Sequence, residues 1–222
     1  MTGGKDFEVT ALNKVRQVSE AAHYDWETVH AVLDAGLVCQ VALIDDDQPI
    51  IVPMTYGRSG NRLYLHGARK ARVIKALSAH PKACAHVTLC DGIVIARSTF
   101  NSSMNYRSAT VFGKPTLVED SDEKLAALEI ISEHLVPGRW REVRPSLDRE
   151  IKMTGVIRFD IESASAKVAA GPPEDEDEDY QSAVWAGVLP LALRAGELQA
   201  DPALPGPIDP SEACLALQGK TY

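Results

Sequence analysis

Arg69, Lys70 and Arg72 fall within four consecutive residues of the stretch Leu63-Tyr-Leu-His-Gly-Ala-Arg-Lys-Ala-Arg-Val-Ile-Lys-Ala-Leu77. The stretch reads as a short strand, Leu63–His66, then Gly67, then a helix predicted over Arg69–Ala79 with the three cations in its first turn. A helix start presents unpaired N–H groups and the positive end of the peptide dipole, so cations are ordinarily unfavourable there. Three of them together point to an anion lodged among them, most simply a phosphate. The alternative is a basic face that only carries its charges into solvent. His66, at the strand end, titrates near neutral pH and could pass a proton to a bound substrate, or could be a satisfied structural histidine.

The elements that position these groups are mostly strands. A polar arm covers residues 1–22. Asp25 is predicted to cap a helix through Asp34, closed by Gly36. Strands are then expected at Leu37–Ile44, Ile50–Tyr56 and Leu63–His66, separated by the turns Asp45-Asp-Asp-Gln and Arg58-Ser-Gly-Asn61. After the basic helix, Asp91-Gly92 predicts a hairpin between strands Lys82–Cys90 and Ile93–Ser98. Tyr106–Val118 reads as a long strand bent at Gly113 and Pro115. Ser121 opens a helix with Leu125, Leu128, Ile131 and Leu135 on one face. Met153–Ile161 and Ala164–Ala169 are expected as the last two strands. The acidic run from Pro172 to Asp179 reads as a solvated loop. The pattern divides into an arm (1–22), a main domain (23–192) and a Pro-rich tail (193–222). Closely spaced strands with few helices argue for an antiparallel barrel, mainly β with peripheral helices.

Composition narrows the function. The 222 residues, 45% of them apolar, suffice for a sizeable core. A net charge of −8 argues against nucleic-acid binding driven by counterion release. No apolar run approaches a membrane span and no signal-peptide pattern opens the chain, so a cytoplasmic protein without a membrane partner is expected. Cys39, Cys84 and Cys90 lie in apolar strand-like runs, which favours buried reduced thiols. Cys84-x-His86-x3-Cys90 matches no common zinc spacing, and no metal site is expected.

Taken in order, the Val52-Pro-Met-Thr55 strand, His66-Gly67, the basic turn, Ser103-Met-Asn-Tyr-Arg-Ser108, Pro137-Gly-Arg139, Ala166-Lys167 and Val184-Trp-Ala-Gly187 resemble the FMN-binding split barrel. Within that superfamily the chain resembles the pyridoxamine 5′-phosphate oxidase-like flavin-nucleotide-binding proteins, the group that includes nitroimidazole-resistance proteins. The resemblance implies a six-stranded antiparallel split barrel acting as a homodimer with FMN in the dimer cleft. It places Arg69, Lys70 and Arg72 on the phosphate after His66 and Gly67. It sets Val52, Pro53, Met54 and Thr55 along the flavin ring and brings Ser108 to the flavin from a neighbouring strand. Trp185 is similar to a C-terminal tryptophan that the partner subunit packs near the cofactor, although an aromatic of this size is as readily a core residue.

The implied activity is an FMN-dependent oxidoreductase that reduces a small-molecule acceptor with electrons from NADH or NADPH, with His66 as the candidate proton donor. No Gly-x-Gly-x-x-Gly fingerprint occurs, so a nicotinamide donor would meet the flavin face transiently. Two departures shape the expectation. After Trp185 the first cation is Arg194, which argues against true pyridoxamine phosphate oxidation. Asn101 and Ser102 stand where closer relatives carry two histidines. A non-catalytic flavin carrier is the rival reading. A haem-binding split barrel with His66 or His86 as axial ligand is the third.

Overall fold

The computed structural model describes residues 5–222. Eight strands and five α-helices occur among them: β1 Ala22–His23, α1 Trp26–Ala35, β2 Val38–Asp45, β3 Gln48–Ser59, β4 Arg62–Ala68, α2 Arg72–Ala79, β5 Ala83–Ile95, β6 Ser103–Leu117, α3 Ser121–Leu135, α4 Asp148–Met153, β7 Thr154–Ala169, β8 Gly187–Pro190 and α5 Glu212–Leu215. The fold is mainly β and antiparallel, as expected, with eight strands where six were anticipated. No helix among the described residues is long and apolar enough to cross a membrane.

The chain packs as two compact units. One takes in the residues up to Gly36, His86–Val111 and Ser163–Ala192; the other takes in Leu37–Ala85, Phe112–Glu162 and Leu193–Tyr222. In the second unit β2 and β3 pair from Val38↔Thr55 to Asp45↔Gln48 across a tight turn. Asp46 and Asp47 adopt φ of 51° and 57° there, the left-handed pair that a two-residue hairpin requires. β3 turns into β4 through Gly60, at φ 56°, and β4 then pairs with β7 from Arg62↔Asp160 to Ala68↔Thr154. Leu63, Leu65, Ile157 and Phe159 are fully buried, and Ile74 and Leu77 of α2 join them.

On the other face of β4 and β7, Tyr64 and Val156 cluster with Val118 and with Ala127 and Ile131 of α3. Asp120, one residue before the expected start, caps α3 by accepting from the Glu123 N–H at 2.8 Å. Leu125, placed on the apolar face by its spacing, is 38% exposed instead. The tail belongs to this unit: Arg139 Nη1 reaches Ser211 Oγ at 3.3 Å, and Ala213 beside it is buried.

In the first unit, residues 5–22 are not a loose arm. Phe7 is buried with its ring 5.7 Å from Trp26, and Asn13 donates to the Glu8 and Ala164 carbonyls. α1 begins as expected, with Asp25 accepting from Thr28 N–H at 2.7 Å.

Two predicted breaks are absent. β5 runs unbroken through Asp91-Gly92. Arg107 grips the Asp91 carboxylate through Nε at 2.9 Å and Nη2 at 2.7 Å, and Gly92 lies so close to β8 that a Cβ would sit 2.9 Å from Val188. These contacts override the turn preference of the dipeptide. β7 likewise continues across Glu162-Ser163, because Glu162 simply takes an outward position in the strand alternation. The same alternation turns Cys90 outward: it is exposed, whereas Cys39 is buried and Cys84 half-buried.

Candidate functional site

β4, the turn after it and α2 form one continuous support. His66 pairs with Val156 and Gly67 with Gly155 across β4 and β7. A Cβ on Gly155 would lie 2.7 Å from Ile74 and 3.1 Å from the Arg69 Cα, so this glycine is what lets the basic turn and α2 approach the sheet. The helix begins at Arg72 rather than Arg69. Arg69 N–H is claimed by the Met153 carbonyl at 2.9 Å, and Ala71 is extended, so Arg69 and Lys70 precede the helix. Ala71 offers no side-chain cap, which leaves first-turn N–H groups without a side-chain partner.

The three cations differ in their commitments. Arg69 Nη2 donates to both Glu119 oxygens at 2.8 and 2.9 Å. Arg72 Nε meets Asp45 at 2.5 Å. Lys70 is exposed and makes no ion pair among the described residues. Together with Arg72 and Asp45, Lys70 lines a surface groove of about 440 Å³, joined by Lys75 and His80. Sequence reasoning missed these last two, although Lys75 stands one helical turn beyond Arg72 and on the same face. The groove is an anion-binding surface in a chain of net charge −8.

His66 stands where two strands part. β3 pairs with β4 only from Tyr56↔Leu65 to Ser59↔Arg62, while its pairing with β2 continues through Thr55 to Gln48. Val52–Thr55 are thus paired with β2 along one edge, and His66 follows the last residue of β4 that β3 pairs. Met54 is buried, Val52 and Thr55 are half-buried, and Pro53 is exposed. His66 Nδ1 is buried and has no hydrogen-bond partner among the described residues. Burial pushes the imidazole pKa below its ordinary value, so the ring is neutral at pH 7. A neutral, uncommitted imidazole nitrogen can ligate a metal, bind a cofactor atom or accept a proton.

His86 is different. Its Nδ1 contacts Thr110 Oγ1 at 2.8 Å and its Nε2 contacts Thr88 Oγ1 at 2.6 Å, so both nitrogens are occupied.

Val52–Thr55, His66, Gly67 and the basic turn all belong to one unit, whereas Ser108 and Trp185 belong to the other. Ser108 is half-buried on β6, next to the Arg107 that holds Asp91. Trp185 is 68% exposed, with its ring resting on Gly187, and is not a core residue.

The family model for pyridoxamine 5′-phosphate oxidase matches residues 25–168. Two solved structures resemble the chain almost end to end. The flavocytochrome Anf3 from Azotobacter vinelandii is 35% identical with a TM-score of 0.89, over 95% of this chain and 98% of that one. The FAD and heme binding protein from Mycobacterium smegmatis is 32% identical with a TM-score of 0.86, over 90% and 98%. An uncharacterised protein of Rhizobium meliloti is 32% identical over 88 residues, 40% of this chain; the match spans about half, 51%, of that protein.

Proposed function

The chain belongs to the pyridoxamine 5′-phosphate oxidase family, and from that premise we propose that it is a flavin-binding redox protein with haem as a second group. The observation that carries this reading is His66, whose buried, neutral, unpartnered Nδ1 sits where β3 and β4 part. The likeness to a flavocytochrome and to an FAD and heme binding protein supports it.

The residues present fit a flavin. Arg69, Lys70 and Arg72 offer charge to a phosphate, and the Val52–Thr55 strand offers backbone to a planar ring. FMN, with one phosphate, suits that trio; FAD adds a second phosphate, which Lys75 and His80 along the same groove would meet. Bound flavin supplies the electron-transfer chemistry, while the chain holds and orients it.

Haem is the reading that His66 favours specifically. Iron takes a neutral imidazole nitrogen that nothing else occupies. His66 meets that condition and His86 does not, since threonine hydroxyls hold both of its nitrogens. Asn101 and Ser102, at the positions of the relatives' two histidines, offer no imidazole.

The proposed activity is reduction of a small acceptor by electrons from NADH or NADPH, with His66 as the candidate proton donor if it is not a ligand. The exposed Trp185 fits a homodimer in which each copy covers the other. The absorption spectrum of the purified protein tests the assignment. Flavin bands and a Soret band are expected, and His66→Ala should abolish the Soret band while leaving the flavin. A spectrum without flavin would refute the proposal. Release of the flavin by denaturation separates FMN from FAD, light scattering gives the assembly, and anaerobic bleaching by NADH or NADPH separates an enzyme from a carrier.

A further inference from the structure

The acidic run after Gly171 is fastened rather than solvated. The Asp175 side chain is 0% exposed and accepts from Arg97 twice, from its backbone N–H at 2.8 Å and from Nη1 at 3.0 Å. The Arg97 guanidinium lies 4.8 Å from the centre of the Tyr180 ring, and Asp175 N–H donates to the Tyr180 hydroxyl at 3.3 Å. At the other end of the run Gly171 has φ of 136°, a conformation that side chains resist, and its carbonyl accepts from Asn105 Nδ2 at 3.0 Å. A hinge and a single latch therefore bound the segment 171–180.

Between hinge and latch, Pro172 and Glu174 form part of the wall of a cavity of about 480 Å³. That volume is in the range of small-molecule sites. Val94 and Met104 give it an apolar side, while Glu20, Asn101, Asn105 and Glu174 supply the polar one. No lysine, arginine or histidine lines it. The charge is opposite to that of the basic groove, so flavin phosphates and haem propionates are the wrong guests here.

We propose that this cavity is a second small-molecule site, for an organic cation with an apolar body, and that the 171–180 segment is its hinged cover, held closed by Arg97, Asp175 and Tyr180. The inference is independent of the flavin reading: it uses none of the residues assigned to flavin or haem.

The test uses the full chain with three probes of equal shape: benzylammonium, benzyl alcohol and benzoate. Binding is read by calorimetry, and opening of the cover by amide hydrogen exchange over residues 172–181. Benzylammonium should bind more tightly than benzyl alcohol, benzoate should not bind, and bound benzylammonium should slow exchange in the cover. Glu20→Gln with Glu174→Gln, both exposed positions, should weaken benzylammonium about tenfold while leaving benzyl alcohol unchanged. Arg97→Gln should speed exchange of the cover about tenfold or more. Tyr180→Leu, at a half-exposed ring, should do so in part and guards against a folding defect in the arginine variant. Benzoate binding as well as benzylammonium, no binding of any probe, or unchanged exchange in both latch variants would each overturn the proposal.

Discussion

Glu119 holds Arg69 in a pair that a bound phosphate must compete with, and this sets the size of the mutational effects expected at the basic turn. The pair joins side chains that are 41% and 62% exposed. Exposed pairs of this kind contribute about 0.2–1 kcal/mol. A charged donor on a phosphate contributes about 1.5–3 kcal/mol. Removing Arg69 should therefore cost a phosphate-bearing flavin the difference, about 0.5–2.8 kcal/mol or roughly 2- to 100-fold in affinity. Lys70 has no such pair to give up, so Lys70→Ala should show the undiminished loss, about tenfold to somewhat over a hundredfold. Glu119→Gln should work the other way. It frees Arg69 and should tighten FMN by about 1.5- to 5-fold. Equilibrium dialysis of the apoprotein against FMN and against riboflavin isolates the phosphate, because riboflavin lacks it. Riboflavin affinity should stay level across all three variants. If riboflavin falls in step with FMN, or if Glu119→Gln weakens FMN, the phosphate does not sit at this turn.

Two further outcomes follow from burial and close packing. Burial lowers the pKa of both His66 and His86 from 6.5, so below about that pH the unfolded chain binds more protons than the folded one and stability falls with acidification. Thermal unfolding from pH 8 to 5 should show a decline setting in near 6.5, and His66→Asn should make it shallower; an unchanged slope would place the titrating burden elsewhere. Gly113→Ala should destabilise the fold by about 3 kcal/mol or more in denaturant unfolding, since its Cβ would lie 1.9 Å from the Asp160 carbonyl oxygen. A loss under 1 kcal/mol would mean that β6 and β7 separate freely at this point.

The β2–β3–β4 region was legible because each cue there is local. Alternating apolar residues and polar turns make the hairpins, and no distant residue contradicts them. Asp91-Gly92 misled for the opposite reason. Its turn preference is local, but Arg107 lies 16 residues on and β8 about a hundred, and together they decide the conformation. The basic turn shows both sides of the limit. Three clustered cations are visible in a sequence, whereas the partners that engage two of them, Glu119 and Asp45, are 50 and 27 residues away. Asp175 was hidden in the same way: a run of carboxylates reads as solvated, and only the fold shows that Arg97, 78 residues earlier, buries one of them. The unpartnered Nδ1 of His66 has no sequence signal, because lacking a partner is a property of the surroundings.

Trp185 makes this protein its own optical reporter. Of the three tryptophans in the chain, Trp26 and Trp140 are half-buried, and Trp185 alone stands mostly in water on the backbone of Gly187. Its emission is therefore the one that aqueous quenchers reach most readily, and the one that shifts to the blue when anything covers that surface. A second copy docking there would move the emission maximum with protein concentration. A flavin brought near the indole would drain its excited state by energy transfer. Both events can be followed in the unmodified chain.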